Sequence, residues 1–279
     1  MLNTLERECI KIDNIHTLDL DITLDCGQCF RWEKEDDGRW HGIAFGKELW
    51  VKCENGTLEL YNTSREDVNN IWREYFDLVT DYEAICNSFS CNEILNKAAK
   101  YAPGIHILSQ EPWEALCSFI ISQNNNIPRI KGIISRLCEN FGKKLPLGGY
   151  NFPSADILAP LSEKDLAPLR CGFRAKYILD AARKVSSGEI DLNKLRILPV
   201  DQAREILKTI KGVGPKVAEC TLLYGLHRLE CFPMDVWMKR AMSELLPEGL
   251  PISLNAHAGI AQQYLFHYTR MNYSQMIKK

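Results

Sequence analysis

The first third of the chain alternates apolar and polar residues in the way that β-strands do. Residues 30–32 lead into an Asp-Asp-Gly turn, and two further runs, 39–45 and 48–53, follow it. Asn55-Gly56 separates the second of these from the run 57–61. Asn-Gly between two alternating runs is the strongest short-range signal for a hairpin, since both residues tolerate positive φ. The pattern predicts an antiparallel meander with one face covered.

From about residue 66 the apolar positions follow the period of a helix instead. After Glu111-Pro112 they recur at i, i+3, i+4, i+7 and i+8 as far as Ile121, which predicts a helix with proline at its start. A second helix is predicted from about Pro128 to a cap at Gly142. Further helices are predicted over 175–186, 201–210, 215–226, 236–246 and 254–268.

This change of period predicts an α+β protein. We expect an antiparallel sheet domain with flanking helices over residues 1–107 and an all-helical domain over residues 108–279. The 279 residues are 46% apolar and 25% charged, as in globular proteins. No apolar run approaches the ~20 residues of a membrane span, and the segment 1–13 lacks a hydrophobic signal core. We therefore expect a cytoplasmic protein without membrane contact.

Cysteine usage and net charge bear on the compartment, the metal content and the partners that we expect. The eleven cysteines are an odd, scattered set, which indicates a reducing compartment. Cys26 and Cys29 form a lone C-x-x-C without the second pair that a zinc site requires, so we expect two small buried residues and no metal. The net charge of −2 gives no indication of nucleic acid, and a DNA partner would have to meet a locally basic face.

The segment 201–226 combines two predicted helices with a glycine-rich turn. Gly212-Val213-Gly214 joins the helices, and Pro215 begins the second one. Glycines permit positive φ and close approach of a ligand to the backbone. The free N–H groups and positive dipole end of the following helix form an anion site that suits a DNA phosphate. The alternative is a plain helical hairpin with a glycine cap.

Lys216 and Asp235 are the candidate chemical groups. Lys216 lies in the first turn of an otherwise apolar helix, where both the dipole and the apolar surroundings disfavour the ammonium form. A neutral lysine is a nucleophile that forms Schiff bases. Asp235 precedes an amphipathic run as a helix N-cap does, and its carboxylate can also stabilise a developing cation. The alternatives are an ion pair of Lys216 with Glu219 and a purely structural cap.

These segments resemble one enzyme family. Lys-Gly-Val-Gly-Pro-Lys at 211–216 with Phe-Pro-Met-Asp-Val at 232–236 is similar to the signature of helix–hairpin–helix DNA glycosylases with a Gly/Pro-rich loop and an essential aspartate. Segments 27–32, 122–129 and 171–177 narrow the resemblance to 8-oxoguanine DNA glycosylase/AP lyases. It runs from about residue 20 to 268. It implies a twisted antiparallel sheet domain, of the type found in TATA-binding protein, followed by a helical glycosylase domain.

The resemblance implies a bifunctional base-excision-repair enzyme without a cofactor. Lys216 would attack C1′ of a flipped nucleotide, expel 8-oxoguanine and form an imine, after which β-elimination can cleave the strand. Asp235 would stabilise the charged transition state. The expected partner is double-stranded DNA with 8-oxoguanine opposite cytosine. We expect a monomer, associated with the nucleoid in a prokaryote or located in the nucleus of a eukaryote.

Further residues take roles from the same resemblance. The carbonyl of Gly27 would accept a hydrogen bond from N7–H of 8-oxoguanine, which guanine lacks. Cys220 and Phe266 would sandwich the base, and Gln262 would contact its Watson–Crick edge. The residues expected at the opposite base and on the DNA backbone are Asn124, Arg129, Phe173, Arg174, Gly212, Gly214 and Trp237.

Two of these positions depart from the family pattern. Phe173 stands where the family often has a wedging tyrosine, and Trp237 stands where it often has a phosphate-binding histidine. Tryptophan donates only one neutral hydrogen bond, so we expect weaker phosphate anchoring and a less strict opposite-base preference.

Two alternatives stay open from the sequence. One is a glycosylase or AP lyase of the same superfamily that acts on another damaged base. The other is a non-catalytic helix–hairpin–helix module that binds DNA without regard to sequence, for which the glycines suffice and neither Lys216 nor Asp235 is needed.

Overall fold

The computed structural model describes the backbone of residues 9–276. Residues 1–8 and 277–279, which include the outer ends of both predicted domains and most of the segment searched for a signal core, lie outside the described residues. Within the described range the strands form one antiparallel sheet in the order β1-β5-β4-β3-β2. They are β1 (Cys9–Ile12), β2 (Trp32–Lys34), β3 (Trp40–Ala44), β4 (Lys47–Glu54) and β5 (Thr57–Tyr61).

Helices make up most of the remaining described chain. The α-helices are α1 (Leu20–Asp25), α2 (Arg65–Asp67), α3 (Arg73–Tyr75), α4 (Tyr82–Ser88), α5 (Glu93–Tyr101), α6 (Pro112–Ser122), α7 (Ile127–Phe141), α8 (Ala155–Leu158), α9 (Ala175–Ser186), α10 (Leu192–Leu195), α11 (Val200–Lys208), α12 (Pro215–Leu226), α13 (Val236–Leu245) and α14 (Ala258–Met276). A π-helical turn joins α2 to α3, and short 3₁₀ turns lie at 89–91, 167–169, 172–174 and 252–257. In the part of the chain described, no helix has the length and apolar character needed to cross a bilayer.

The sheet confirms the predicted meander. Asn55 and Gly56 connect β4 to β5 with φ of +52° and +77°, the left-handed values that a tight hairpin turn requires. The alternation pattern does not predict β1, because four residues are too few to show a period. It also places the start of the strand at 30–32 slightly early, since β2 begins at Trp32.

The helix boundaries follow the predicted periods closely. The ranges 175–186 and 215–226 coincide with α9 and α12, and Gly142 caps α7. The expected helix 254–268 differs, because a 3₁₀ turn covers 252–257 and α14 continues to Met276. The sequence analysis omits α1, a six-residue helix that begins after Asp19, whose carboxylate accepts a hydrogen bond from the Ile22 N–H.

The apolar side chains form two adjoining cores. The sheet core packs one face of the strands against the aromatic residues Trp72, Tyr75 and Phe76. The larger helical core joins α6, α7, α9, α12 and α14, and it also takes in residues from α4 and α5. The division of the chain at residue 107 stays a prediction, since helices on both sides of it contribute to this one core.

A buried polar contact ties the carboxyl end of α12 to the sheet part. His227 follows α12 with a left-handed φ of +53°, and its Nε2 lies 3.1 Å from Oδ2 of Asp77. Burial pushes the pKa of Asp77 upward, but the hydrogen bond and charge of His227, with the hydroxyl donors Tyr82 and Thr80, outweigh it. The pKa of Asp77 therefore lies below its ordinary value. This contact fixes the far end of the helix that begins at Pro215.

Cys26 and Cys29 behave as small buried side chains. The Cys26 thiol donates to the Thr23 carbonyl and the Cys29 thiol to the Leu24 carbonyl. Burial raises the pKa of Cys26 to about 12 and that of Cys29 well above its ordinary value. Metals bind the thiolate, so neither group is prepared as a ligand.

Candidate active site

The glycine-rich turn between α11 and α12 is seated on α9. Gly212 has a φ of +80°, and a Cβ built on it would lie 2.4 Å from the ring of Tyr177. The backbone N–H of Lys211 donates to Oδ2 of Asp180 at 2.7 Å. Glycine is required at 212 by both its conformation and its contact, so the turn keeps one shape relative to α9.

The beginning of α12 has open backbone donors. Gly214 is the N-cap, and no side chain caps the helix. Within the described residues, the N–H groups of Gly214, Lys216 and Val217 have no hydrogen-bond partner. A Cβ on Gly214 would meet nothing within 4 Å, so the approach to these donors is unobstructed. Unpaired N–H groups at a helix N-terminus attract an anion.

The Lys216 side chain turns inward from the first turn of α12 and is half-buried. Its Nζ donates to Oγ of Ser122 at 3.2 Å and lies 5.0 Å from the centre of the Phe119 ring. The Ser122 hydroxyl donates in turn to the Phe119 carbonyl at 2.8 Å, which leaves its oxygen lone pairs for the amine. The amine is therefore held at the carboxyl end of α6.

Glu219 does not form the ion pair with Lys216 that the sequence leaves open. Its carboxylate accepts hydrogen bonds from the Arg204 guanidinium and from the Phe232 N–H. Both oxygens are thereby engaged, by α11 and by the segment that follows α12. The amine of Lys216 is left to the groups of α6 and to Cys220.

The pKa of the Cys220 thiol, one turn after Lys216, is affected by both Lys216 and Asp235. Burial raises the pKa of its thiol to about 11, while the charge of Lys216 and a hydrogen bond from it act in the opposite direction, and the charge of Asp235 raises it further. Asp235 caps α13 by accepting from the Met238 N–H at 2.7 Å, as its sequence position predicts. The lysine, the thiol and the carboxylate thus share one electrostatic environment.

The residues expected around the base lie on the facing helices α12 and α14. Oε1 of Gln262 lies 3.5 Å from the hydroxyl of Tyr224, which is one turn after Cys220. Gln262 is buried and Phe266 is half-buried against the helical core. Tyr224 stacks on Phe119, with ring centroids 5.2 Å apart, so the same aromatic wall reaches from this pocket to Lys216.

Gly27 reaches the same region from the loop after α1. Its φ is +91°, which favours glycine, although a Cβ would meet only Ile127 at an ordinary 3.7 Å. Within the described residues, no hydrogen bond occupies its carbonyl oxygen. Its neighbour Cys26 is linked to α14, because Nε2 of Gln263 donates to the Cys26 carbonyl at 3.3 Å.

A second group of predicted residues gathers around the loop 123–126. Asn124 is exposed, with a left-handed φ of +47°. Arg174 is only 2% exposed, and its guanidinium donates to the backbone carbonyls of Gln123, Asn124 and Cys171. Arg129 is exposed and donates weakly to the Arg170 carbonyl at 3.4 Å. Arg174 therefore braces the loop, and its contact with a base stays a prediction.

Exposed aromatic side chains flank these groups. Phe173 is 46% exposed and lies beneath the guanidinium of Arg174, whose carbon is 4.5 Å from its ring centroid. Trp237, in the first turn of α13, is 47% exposed. A separate cleft of about 430 Å³ lies between the sheet and α7, and none of the predicted site residues lines it.

Comparisons with known proteins agree with this arrangement. Residues 11–116 match the model of the 8-oxoguanine DNA glycosylase N-terminal domain, and residues 117–248 match that of the HhH-GPD superfamily of base excision DNA repair proteins. The structure of MBOgg1 in complex with a low affinity DNA ligand is 43% identical, with a TM-score of 0.90, covering 94% of this chain and 96% of that one.

This chain belongs to the 8-oxoguanine DNA glycosylase family.

Two further relatives extend this likeness. The Clostridium acetobutylicum 8-oxoguanine glycosylase/lyase, in complex with double-stranded DNA containing cytosine opposite 8-oxoguanine, is 38% identical with a TM-score of 0.90, covering 95% of this chain and 96% of that one. The N-glycosylase/DNA lyase of Saccharomyces cerevisiae is 40% identical over 158 residues, which span 51% of this chain and 42% of the yeast protein. The fold class expected from the sequence, a sheet domain and a helical domain of this family, is confirmed.

The sequence alone does not identify several residues that hold Lys216 and the Gly27 loop in position. Ser122 and Phe119 contact Lys216, and three buried glutamines surround Gly27. The usable signal is a glutamine within an apolar helical face, as at Gln263, which has Ile260 three positions before it and Phe266 three positions after it. Such a residue must be paired when it is buried, but the sequence does not name its partner.

Proposed function

We propose that this protein removes 8-oxoguanine from double-stranded DNA and cleaves the strand at the resulting abasic site. The observation that carries the proposal is the half-buried amine of Lys216, which is held beside Cys220 and Ser122 next to the open helix N-terminus at Gly214. A non-catalytic DNA-binding hairpin needs the glycines but has no use for an inward-turned lysine.

The proposed chemistry uses Lys216 as the nucleophile. The neutral amine attacks C1′, the bond from C1′ to N9 breaks, and the base leaves with its electron pair. The proton lost by the amine balances the one taken up by the base, and an imine to the opened sugar remains. Loss of a proton from C2′ then expels the 3′ phosphate, and water releases the enzyme. The Asp235 carboxylate stabilises positive charge on the sugar.

The pocket roles follow from the family. Gly27 accepts a hydrogen bond from N7–H of the lesion, Cys220 and Phe266 enclose the base, and Gln262 contacts its Watson–Crick edge. The Gly27 carbonyl, which has no hydrogen-bond partner among residues 9–276, and the buried Gln262 amide support these assignments. A buried acceptor facing the N7 lone pair of guanine would stay unpaired, at a cost of about 1–3 kcal/mol.

The DNA contacts complete the proposal. Gly212 and Gly214 bring a phosphate to the α12 N-terminus. Asn124, Arg129 and Arg174 contact the orphaned cytosine, which presents acceptors to arginine donors. The exposed ring of Phe173 wedges into the DNA duplex, and the exposed ring of Trp237 contacts the DNA backbone. A monomer suffices, and it acts where genomic DNA lies, in the nucleoid or nucleus.

Borohydride trapping tests the nucleophile. The wild-type protein is expected to form a covalent adduct with a duplex carrying 8-oxoguanine opposite cytosine. Lys216→Gln should bind that duplex and form no adduct. Lys208→Gln is the matched control, because Lys208 is paired with Glu205 at 2.8 Å on the preceding helix and should not affect trapping. An equal adduct yield from Lys216→Gln refutes the assignment.

The substrate is tested by rates of base release. Oligonucleotides carrying 8-oxoguanine, thymine glycol or an alkylated purine should be compared under single-turnover conditions. We expect 8-oxoguanine to be released fastest. Faster release of either other lesion would show that this family member has a different substrate.

A further inference from the structure

Three buried glutamine side chains surround the peptide units on both sides of Gly27. Gln28, Gln110 and Gln263 are 0%, 5% and 1% exposed. A buried amide is costly unless its donors and acceptor are paired. Each of these amides donates to at least one backbone carbonyl, so each holds the main chain in position.

Gln28 anchors itself through its own side chain. Its Nε2 donates to the carbonyls of Thr23 at 2.9 Å and His106 at 2.8 Å, and its Oε1 accepts from the Leu108 N–H at 2.9 Å. Because backbone partners fix which end donates and which accepts, the amide has one orientation. The residue directly after Gly27 is thereby attached to α1 and to the segment 106–108.

Gln110 and Gln263 secure the carbonyls on either side of Gly27. Nε2 of Gln110 donates to the Gln28 carbonyl at 2.7 Å, and Nε2 of Gln263 donates to the Cys26 carbonyl at 3.3 Å. The Gln263 Oε1 accepts from the hydroxyl of Tyr224 on α12, which fixes its orientation as well. The Gly27 carbonyl, between these two, is the one without a partner in the described residues.

We propose that the glutamine clamp, formed by Gln28, Gln110 and Gln263, is a specificity determinant that prevents the Gly27 carbonyl from turning away from the base. The inference rests on the proposed function, in which that carbonyl tests N7 of the flipped purine. The three glutamines are positioning residues, since they act through Gly27 and not on the base.

The physical argument concerns a peptide flip. At a glycine, the peptide that follows can rotate and exchange its carbonyl for an N–H with little steric cost. An N–H at this position would pair with N7 of guanine, and discrimination would be lost. The flip would, however, turn φ of Gln28, which is not positive in this structure, into the left-handed region that side-chain-bearing residues disfavour. Because the Gln28 side chain and the carbonyls of Cys26 and Gln28 are held, the chain cannot shift to relieve that strain without breaking buried hydrogen bonds. A rigid acceptor therefore rejects guanine where a mobile one would adapt.

The test measures binding selectivity in a protein that cannot cleave. Gln110→Met and Gln263→Met, each in the Lys216→Gln background, remove one donor and keep the side-chain length. The measured quantity is the ratio of the Kd for a duplex with guanine opposite cytosine to the Kd for the same duplex with 8-oxoguanine. We expect each variant to lower this ratio about tenfold, the factor that corresponds to one hydrogen bond of about 1.4 kcal/mol. Part of this fall should come from tighter binding of the guanine duplex, since a released loop can present an N–H to N7 of guanine.

A general loss of stability is separated from loss of the clamp by Leu58→Val. Leu58 is fully buried in the sheet core, so this variant lowers Tm without touching the loop at Gly27. It should keep the selectivity of the Lys216→Gln parent. Should Gln110→Met fail to fold, Gln263→Met makes the same test from the other side of Gly27.

The outcomes distinguish the clamp from the proposed function. If the Lys216→Gln parent itself shows no preference for 8-oxoguanine, the proposed function fails. If the parent prefers 8-oxoguanine and the folded glutamine variants keep its full ratio, the proposed function stands and the clamp is refuted.

Discussion

Lys216 and Ser122 are joined by a hydrogen bond of 3.2 Å across 94 positions of the sequence. The contact joins the first turn of α12 to the carboxyl end of α6, and Nζ of Lys216 lies 5.0 Å from the centre of the Phe119 ring. Of the two groups on α6 that hold the amine, the Ser122 hydroxyl can be removed with the smaller change of shape.

Removing the Ser122 hydroxyl should slow excision. Ser122 accepts the hydrogen bond that holds Nζ of Lys216 at the carboxyl end of α6, so Ser122→Ala leaves the amine free to adopt other positions. We expect single-turnover excision to fall about two- to tenfold, from a hydrogen bond of about 0.5–1.5 kcal/mol.

The matched control for this loss of rate is Ser135→Ala. Ser135 is exposed on α7, and its hydroxyl donates to Glu139 and not to the site. Its excision rate should equal that of the wild type. A Ser122→Ala protein that excises as fast as the wild type would show that this hydrogen bond does not position the nucleophile.

Asp235 combines a structural and a chemical role, and two substitutions separate them. Asparagine also caps helices, so Asp235→Asn should keep the hydrogen bond from the Met238 N–H and change the free energy of unfolding by less than about 0.5 kcal/mol. It lacks the charge, so single-turnover excision should fall about 100-fold or more. Asp235→Ala should lose excision equally and destabilise the protein by about 1 kcal/mol.

Denaturant unfolding and single-turnover kinetics together decide this case. If Asp235→Asn excises at the wild-type rate, the carboxylate serves only as a helix cap. The structural reading then stands, and the stabilisation of a sugar cation must come from another group.

Local patterns account for the elements that the sequence predicts well. The Asn55-Gly56 hairpin, the full extent of α12 and the Asp235 cap each depend on a few consecutive residues. In each case the residues of the turn or cap agree with the spacing of apolar positions in the neighbouring strand or helix. The same reasoning misses α1 and β1, which are too short to show a period.

The contacts that complete the site are beyond local reasoning. Arg174 follows exposed residues and resembles a surface arginine, yet it is buried because the carbonyls of a distant loop take up its donors. Glu219 has the spacing for an ion pair with Lys216, but it pairs with Arg204 from the preceding helix instead. Such partners are chosen by how helices pack, which a single sequence does not specify.

Glu111 should make the stability of the protein depend on pH near neutrality. Burial raises the pKa of this carboxyl from 4.5 to about 7, and nearby Glu114 adds to the effect while Arg31 opposes it. A carboxyl with a raised folded-state pKa contributes full stability below its unfolded value and loses it as pH rises through about 7. Glu111→Gln should therefore stabilise the protein at pH 8 but not at pH 4.5.

The size of this effect is on the order of 2 kcal/mol at pH 8, below the full conversion of about 1.36 kcal/mol per pKa unit because the side chain keeps some solvent contact. Thermal unfolding at several pH values measures it. Glu163→Gln, at an exposed position, should show no such trend. A Glu111→Gln protein whose Tm differs from that of the wild type by the same amount at both pH values would contradict the prediction.

The two glycines of the hairpin should fail in different ways when replaced by alanine. At Gly212 a φ of +80° and the Tyr177 ring at 2.4 Å both oppose a Cβ, so Gly212→Ala should lose about 1–3 kcal/mol of stability. At Gly214 the backbone is extended and nothing lies within 4 Å, so Gly214→Ala should fold with only a small loss. Its methyl group would instead stand in the path of a phosphate, and the Kd for undamaged duplex should rise about tenfold.

Fluorescence anisotropy and thermal unfolding of the same variants separate these effects. Gly188→Ala is the control, because Gly188 has a similar φ of +76° with no atom within 4 Å and lies after α9, outside the hairpin. It should lose some stability to backbone strain and keep its DNA affinity. If Gly214→Ala binds duplex as tightly as the wild type, no phosphate approaches the start of α12 this closely, and DNA affinity must come from the arginines and exposed rings around Asn124 and Trp237.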